Sequence, residues 1–129
     1  MAHEYPHLTV LPVREGRDDW QRVEEVAAQL LANHPKLIGL YNAGGGSRGI
    51  TTALEKAGRE RDIVFIAHEL TDHARRALIN GTIDAIINQD AGHEIRSAVR
   101  VLMAKADNAP LIAAQERIRI DIFLRDNLP

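Results

Sequence analysis

The chain has no cysteine, which excludes disulfides and thiolate metal sites and fits a reducing compartment. It also lacks a surplus of positive charge. Sixteen Lys and Arg stand against eighteen Asp and Glu, and a net charge of −2 offers no basic footprint for a phosphate backbone. No apolar run approaches the roughly 18 residues that a membrane span needs. The start, Met1 to Pro6, has neither a basic opening nor a long apolar stretch, so it does not read as a secretion signal. Serine is scarce too: Ser47 and Ser97 are the only two, and neither lies in a nucleophile-elbow pattern. The members of a Ser-His-Asp triad or a carboxylate pair are scattered, so no catalytic residues are assigned.

What is present is a globular composition. The chain is 45% hydrophobic and 26% charged over 129 residues, which rules out disorder and suits a single domain. Residues 8–13 form a short β-favouring run ended by Pro12. Residues 20–34 place Val23, Val26, Ala27, Leu30 and Leu31 at helical spacing, and Pro35 stops that helix. Strands are expected at 37–41, 63–67 and 83–87, with helices at 47–57, from Thr71 to about Asn80, and at 91–106. Residues 117–124 alternate at period two, as a half-exposed strand does. Repeated strand–helix alternation predicts right-handed βαβ units, a largely parallel sheet with helices on both faces, and ligands beyond the strands' C-terminal ends.

Gly44-Gly45-Gly46-Ser47-Arg48-Gly49 satisfies G-x-G-x-x-G between a strand and a helix, and Glu69 follows twenty residues later. A dinucleotide site uses that arrangement, with glycines for backbone approach and an acid for ribose hydroxyls. The plainer reading is a tight turn at a strand end. No Gly-Lys-Ser/Thr closes a Walker loop, and no hydride-transfer domain follows.

Asp18-Asp19-Trp20, Tyr41-Asn42-Ala43-Gly44 with Gly49, Ala53-Leu54 and Gly58, then residues 63–69 and 78–89, read together and in that order, resemble the lactose-repressor family of transcription regulators and the related type I periplasmic sugar-binding proteins. Tyr41-Asn42-Ala43-Gly44 followed by Gly49, Ala53-Leu54 and Gly58 is similar to their strand–loop–helix. Residues 63–69 resemble the next strand, which in the family ends in a ligand-gripping aspartate where this chain has Glu69. Residues 78–89 resemble the turn, strand and glutamine that follow, and Asp18-Asp19-Trp20 resembles the Asp-Trp opening the preceding helix.

The resemblance implies an α/β sandwich of the type I periplasmic-binding-protein kind, mainly one lobe, from the C-terminal part of a sensor. Residues 8–89 would form the second lobe, and 90–129 a helix and strand returning to a first lobe absent here. It further implies a sugar or related polar metabolite as ligand, no cofactor, a homodimer, a cytoplasmic setting, and DNA contact only through a separate helix-turn-helix. Apolar faces left exposed by the missing lobe would favour dimerisation or exchange of elements. The alternatives are a periplasmic sugar receptor of a transporter and a Rossmann-type nucleotide-binding enzyme.

Four residues are the candidate ligand contacts. Glu69, at a strand's C-terminal end, can accept two hydrogen bonds from vicinal hydroxyls, or be a solvated loop acid. Gln89 supplies an amide donor and acceptor just after a buried strand. Asn42 can do the same or be a turn residue, since the family's asparagine aligns with Ala43. Trp20, the only tryptophan, can stack on a sugar's apolar face or pack at a helix start. Arg14 reads as an anion clamp or, more commonly, a surface arginine. His68, Glu69 and His73 have the wrong spacing for a metal site, and none is expected.

Overall fold

The computed structural model describes residues 4–129. Met1 to His3, part of the Met1 to Pro6 stretch read above for a secretion signal, lie outside the described residues. Helix α1 spans Trp20–Asn33; Asp19 caps it by accepting the Arg22 amide at 2.8 Å. Val23, Ala27 and Leu31 recur every fourth residue and make its buried stripe. Strand β1 is Gly39–Tyr41, followed by α2 at Ser47–Ala57. Gly58 closes α2 with a left-handed φ of 62°, returning its N–H to the Leu54 and Glu55 carbonyls. Strand β2 is Val64–His68 and α3 is Asp72–Asn80, capped by Thr71 and ended by Gly81 at φ 79°. Strand β3 (Ala85–Gln89) leads through the capping Asp90 into α4, Ala91–Ala106. Strand β4 (Ile120–Phe123) and a single 3₁₀ turn at Arg125–Asn127 follow.

The sheet runs β1-β2-β3-β4. β1, β2 and β3 are parallel, in the registers Tyr41↔Ile66 and His68↔Ile87, whereas β4 is antiparallel to β3 through Ile86↔Phe123 and Gln89↔Ile120. This is the mixed α/β architecture expected, with a sheet that is mostly parallel. Strands β2 and β3 each begin one or two residues later than the apolar runs imply, because Ile63 and Ile83 are buried before the ladder starts.

One face of the sheet carries the core. Phe65, Ala67 and Ile86 are completely buried, and they join Val23, Ala27 and Leu31 of α1, Ile50, Ala53 and Leu54 of α2, and Ala74, Ala77 and Leu78 of α3. Burial of a side chain such as Phe65 or Leu54 contributes about 2 kcal/mol.

Three expectations are corrected here. Helices α1 to α3 all lie on the core face; on the other face Tyr41, Val64, Ile120 and Ile122 remain more than half exposed, so helices do not cover both sides. Short rightward crossovers from β1 to β2 to β3 place the intervening helices on one side, which is why. Residues 8–13 form no strand: the segment joins no ladder, and Val10 and Val13 are exposed, since β propensity without a neighbouring strand leaves the backbone unpaired. In this chain β4 is hydrogen-bonded to β3 at the edge of the sheet. Arg117 to Arg119, expected in that strand, stand outside it.

Helix α4 stands apart from this core. Its predicted apolar face is exposed at Ile95, Val99 and Leu102, and its one buried residue, Ser97, donates to Glu116 in the segment that follows. Arg100 grips the same carboxylate with two bonds of 2.8 and 2.9 Å, which holds Glu116 below the usual carboxylate range. Among the described residues no helix is long and apolar enough to cross a membrane.

Candidate functional site

The C-terminal ends of β1, β2 and β3 lie side by side and carry Asn42, Glu69 and Gln89. The register brings them together: Glu69 leaves β2 with its N–H on the Ile87 carbonyl at 3.0 Å, and the Asn42 N–H meets the Ile66 carbonyl at 2.9 Å. Glu69 is exposed and its carboxylate has no partner among the described residues. Its φ is +67°, a left-handed conformation that is uncommon outside glycine and characteristic of constrained sites. Gln89, also exposed, keeps its side-chain amide free at the next strand tip. Glu69, directly after β2, and Gln89, at the end of β3, thus stand at the same edge of the sheet.

Asn42 is placed there but is engaged elsewhere. Its Nδ2 lies 2.9 and 3.1 Å from the Gly44 and Gly45 carbonyls and 3.0 Å from Ser47 Oγ, so its donors are spent shaping the glycine loop. Only Oδ1 remains for a ligand. Trp20 is likewise partly engaged, because the Arg48 guanidinium sits 4.5 Å from its ring centroid. Arg14 lies elsewhere, beside α1 in a cleft of about 360 Å³ with Val13, Val26 and His34. A second cleft, of about 290 Å³, lies at Gly81, Asp84 and Leu124; neither cleft contains the four candidate residues.

The glycine loop has an internal occupant. Asp18 Oδ1 accepts the Gly45 amide at 2.7 Å, and a Cβ on Gly44 or Gly45 would stand about 3 Å from that carboxylate. An Asp side chain thus takes the loop amide that a dinucleotide pyrophosphate would use. Gly49 serves the helix crossing: a Cβ there would lie 2.2 Å from the Trp20 carbonyl oxygen.

Three features near the strand tips were not singled out from sequence. Asn88 Oδ1 accepts the Leu70 amide at 3.0 Å and ties β3 to the turn holding Glu69. Tyr41 Oη and His68 Nε2 are 2.6 Å apart, joining the ends of β1 and β2. Thr51 donates to the Arg48 carbonyl at 2.9 Å, so His73, with Nε2 at 2.8 Å, donates to Thr51. Partial burial, followed by the charges of Arg48 and Arg76, lowers the His73 pKa below the ordinary histidine value. No sequence spacing signals these pairs, which lie 18 to 27 residues apart. Among the described residues no three potential metal ligands gather.

Residues 1–110 match the family model described as a periplasmic binding protein domain. No curated protein matches the sequence at a significant level. Among solved structures, the glucose-galactose binding protein GanP of Geobacillus stearothermophilus superposes with a TM-score of 0.87 at 18% identity, over 98% of this chain and 45% of its own. A solute-binding protein of Agrobacterium vitis holding α-D-tagatopyranose gives 0.84 at 19%, over 97% and 42%. A sugar-binding protein from Bacillus halodurans gives 0.78 at 23%, over 96% and 47%. The chain therefore spans less than half the length of these proteins, and the likeness to them is one of fold.

Proposed function

This chain belongs to the periplasmic binding protein domain family, and from that premise we propose that it is a non-enzymatic, sugar-binding module whose contacts are Glu69 and Gln89. One observation carries the reading: Glu69, whose carboxylate has no partner among the described residues and whose φ is +67°, directly follows β2, and Gln89 ends the neighbouring parallel strand β3. Vicinal hydroxyls donate to the two carboxylate oxygens, and the amide both donates to and accepts from a third. Similar folds whose names record sugar ligands support the same class of ligand. Trp20 and the Oδ1 of Asn42 stand as lesser contacts at the same edge.

Within that class we place the chain in a cytoplasmic, dimeric transcription regulator of the lactose-repressor type. The support is the ordered set of motifs from Asp18-Asp19-Trp20 through Gln89. Binding changes DNA affinity there only if the sugar prefers one state of the sensor, and the DNA-reading unit is a separate domain. The second reading, a receptor for a sugar transporter, is favoured by the solute-binding proteins among its structural neighbours. The coding sequence upstream separates them, since a helix-turn-helix supports the first and a secretion signal the second.

Calorimetric titration of D-galactose, D-allose, D-fucose and D-tagatose tests the site itself. Glu69→Ala and Gln89→Ala should each abolish the heat seen with whichever sugar binds. Unchanged affinity in both variants removes this assignment.

A further inference from the structure

We infer that the cleft beside α1 is a second binding site, one that takes an open-chain polyol phosphate through Arg14 and Arg22. It contains neither Glu69 nor Gln89, and the inference is independent of the sugar-binding reading above. The cleft encloses about 360 Å³, within the range of small-molecule sites. One wall is the segment through Val13, Arg14 and Glu15, and the other is a face of α1.

Helical spacing builds that face. Arg22, Val26, Gln29 and Asn33 recur every three or four residues, beside the buried stripe of the same helix. Val26 and Leu30 are half-buried there, outside the core, and give the cleft an apolar floor. The rise along α1 from Arg22 to Asn33 is about 16 Å. An extended ligand follows that length better than a compact one.

Charge sets the ligand's head. The chain carries a net −2, yet two guanidiniums line this cleft against the single carboxylate of Glu15. Arg59, by contrast, donates to the Leu37 carbonyl, Arg48 stacks on Trp20, and Arg100 grips Glu116. The side chains of Arg14 and Arg22 have no partner among the described residues. A phosphate monoester answers both, since its terminal oxygens accept from two planar forks at once.

The rest of the cleft sets the body. The amides of Gln29 and Asn33, also without partners among the described residues, donate and accept as hydroxyl groups require. His34, just past the last turn of α1, adds a ring N–H at the far end. Glu15 accepts from a hydroxyl and repels a second anionic group, which favours a single phosphate.

The test is an NMR titration of the whole chain, 15N-labelled in backbone and side chains. D-sorbitol 6-phosphate, D-sorbitol and inorganic phosphate are added in turn. Sorbitol phosphate should move the Arg14 and Arg22 Nε signals and the Gln29 and Asn33 amides on one isotherm, with Glu69 and Gln89 still. Arg14→Gln and Arg22→Gln should each weaken it roughly tenfold, the loss expected for one charge-assisted bond. Sorbitol alone should move nothing in the cleft, and inorganic phosphate should bind more weakly than the ester. Phosphate binding as tightly as the ester leaves an adventitious ion only and overturns the polyol assignment. Sorbitol binding as tightly as its phosphate removes the role of the two arginines. Still cleft signals, or equal affinity in both variants, overturn the inference and leave the sugar-binding reading untouched. The signals of the unsubstituted chain decide the matter even if a variant folds poorly.

Discussion

Asn88 reaches across from the end of β3 to accept the Leu70 amide at 3.0 Å, and this bond anchors the turn in which Glu69 holds its left-handed backbone. Two neighbouring strand tips are thereby made one unit, with Gln89 next in sequence to the anchor. Replacing Asn88 by Ala should lower stability by about 1 kcal/mol, the usual net worth of one such bond. Amide hydrogen exchange at Leu70 should accelerate selectively, while exchange at Phe65 and Ile86 in the core changes only as global stability does. Unchanged protection at Leu70 would show that the bond holds nothing.

The strain at Glu69 gives a prediction of opposite sign. A left-handed residue with a Cβ costs roughly 1 kcal/mol that glycine avoids. Glu69→Gly should therefore raise the urea midpoint while sugar binding is lost. Glu69→Ala keeps the backbone cost and loses binding alone. Equal midpoints for the two variants would mean that the conformation carries no strain.

Gly49 is where α1 and α2 touch backbone to backbone. A methyl group there meets the Trp20 carbonyl at 2.2 Å and the Glu24 nitrogen at 2.6 Å, so the helices must part. Gly49→Ala should cost about 2 kcal/mol despite its better helix propensity, within the range for overpacked cores. Denaturation showing a stabilised variant would contradict this crossing.

His73 sets a pH dependence whose direction follows from its environment. Burial and two arginines depress its folded pKa below the ordinary 6.5. The unfolded chain thus binds the proton first, and stability falls as pH drops from about 6.5 toward the lower folded value. Above that window the contribution is fully present. His73→Gln retains a donor to Thr51 without titrating, so its stability profile between pH 7 and 5 should be flatter than that of the parent chain, measured by urea denaturation.

Much of the helical structure was legible in the sequence because its punctuation is local. Asp19, Thr71, Gly58 and Gly81 act within their own turns, and α2 begins and ends where Ser47 and Gly58 indicate. The parallel strands were legible as apolar runs, though their limits depend on partners that periodicity does not encode. Residues 8–13 have strand composition and no strand, since a ladder is a property of two segments. Glu69 and Gln89 were expected at strand ends, and the structure places them there. The engagement of Asn42 with Ser47, of Trp20 with Arg48, and of Tyr41 with His68 arises from folding together segments 5 to 28 residues apart. Such pairs decide which polar groups remain available, and a single sequence does not display them.

Only Asp90 separates Gln89 from the first residue of α4. That sixteen-residue rod is about 24 Å long, and its apolar stripe leans on no part of the core. A pivot of some 10° at Asp90 would swing its far end by about 4 Å, a simple consequence of its length. Any rotation about Asp90 is therefore largest at Met103 and Ala106, the end of the helix farthest from Gln89.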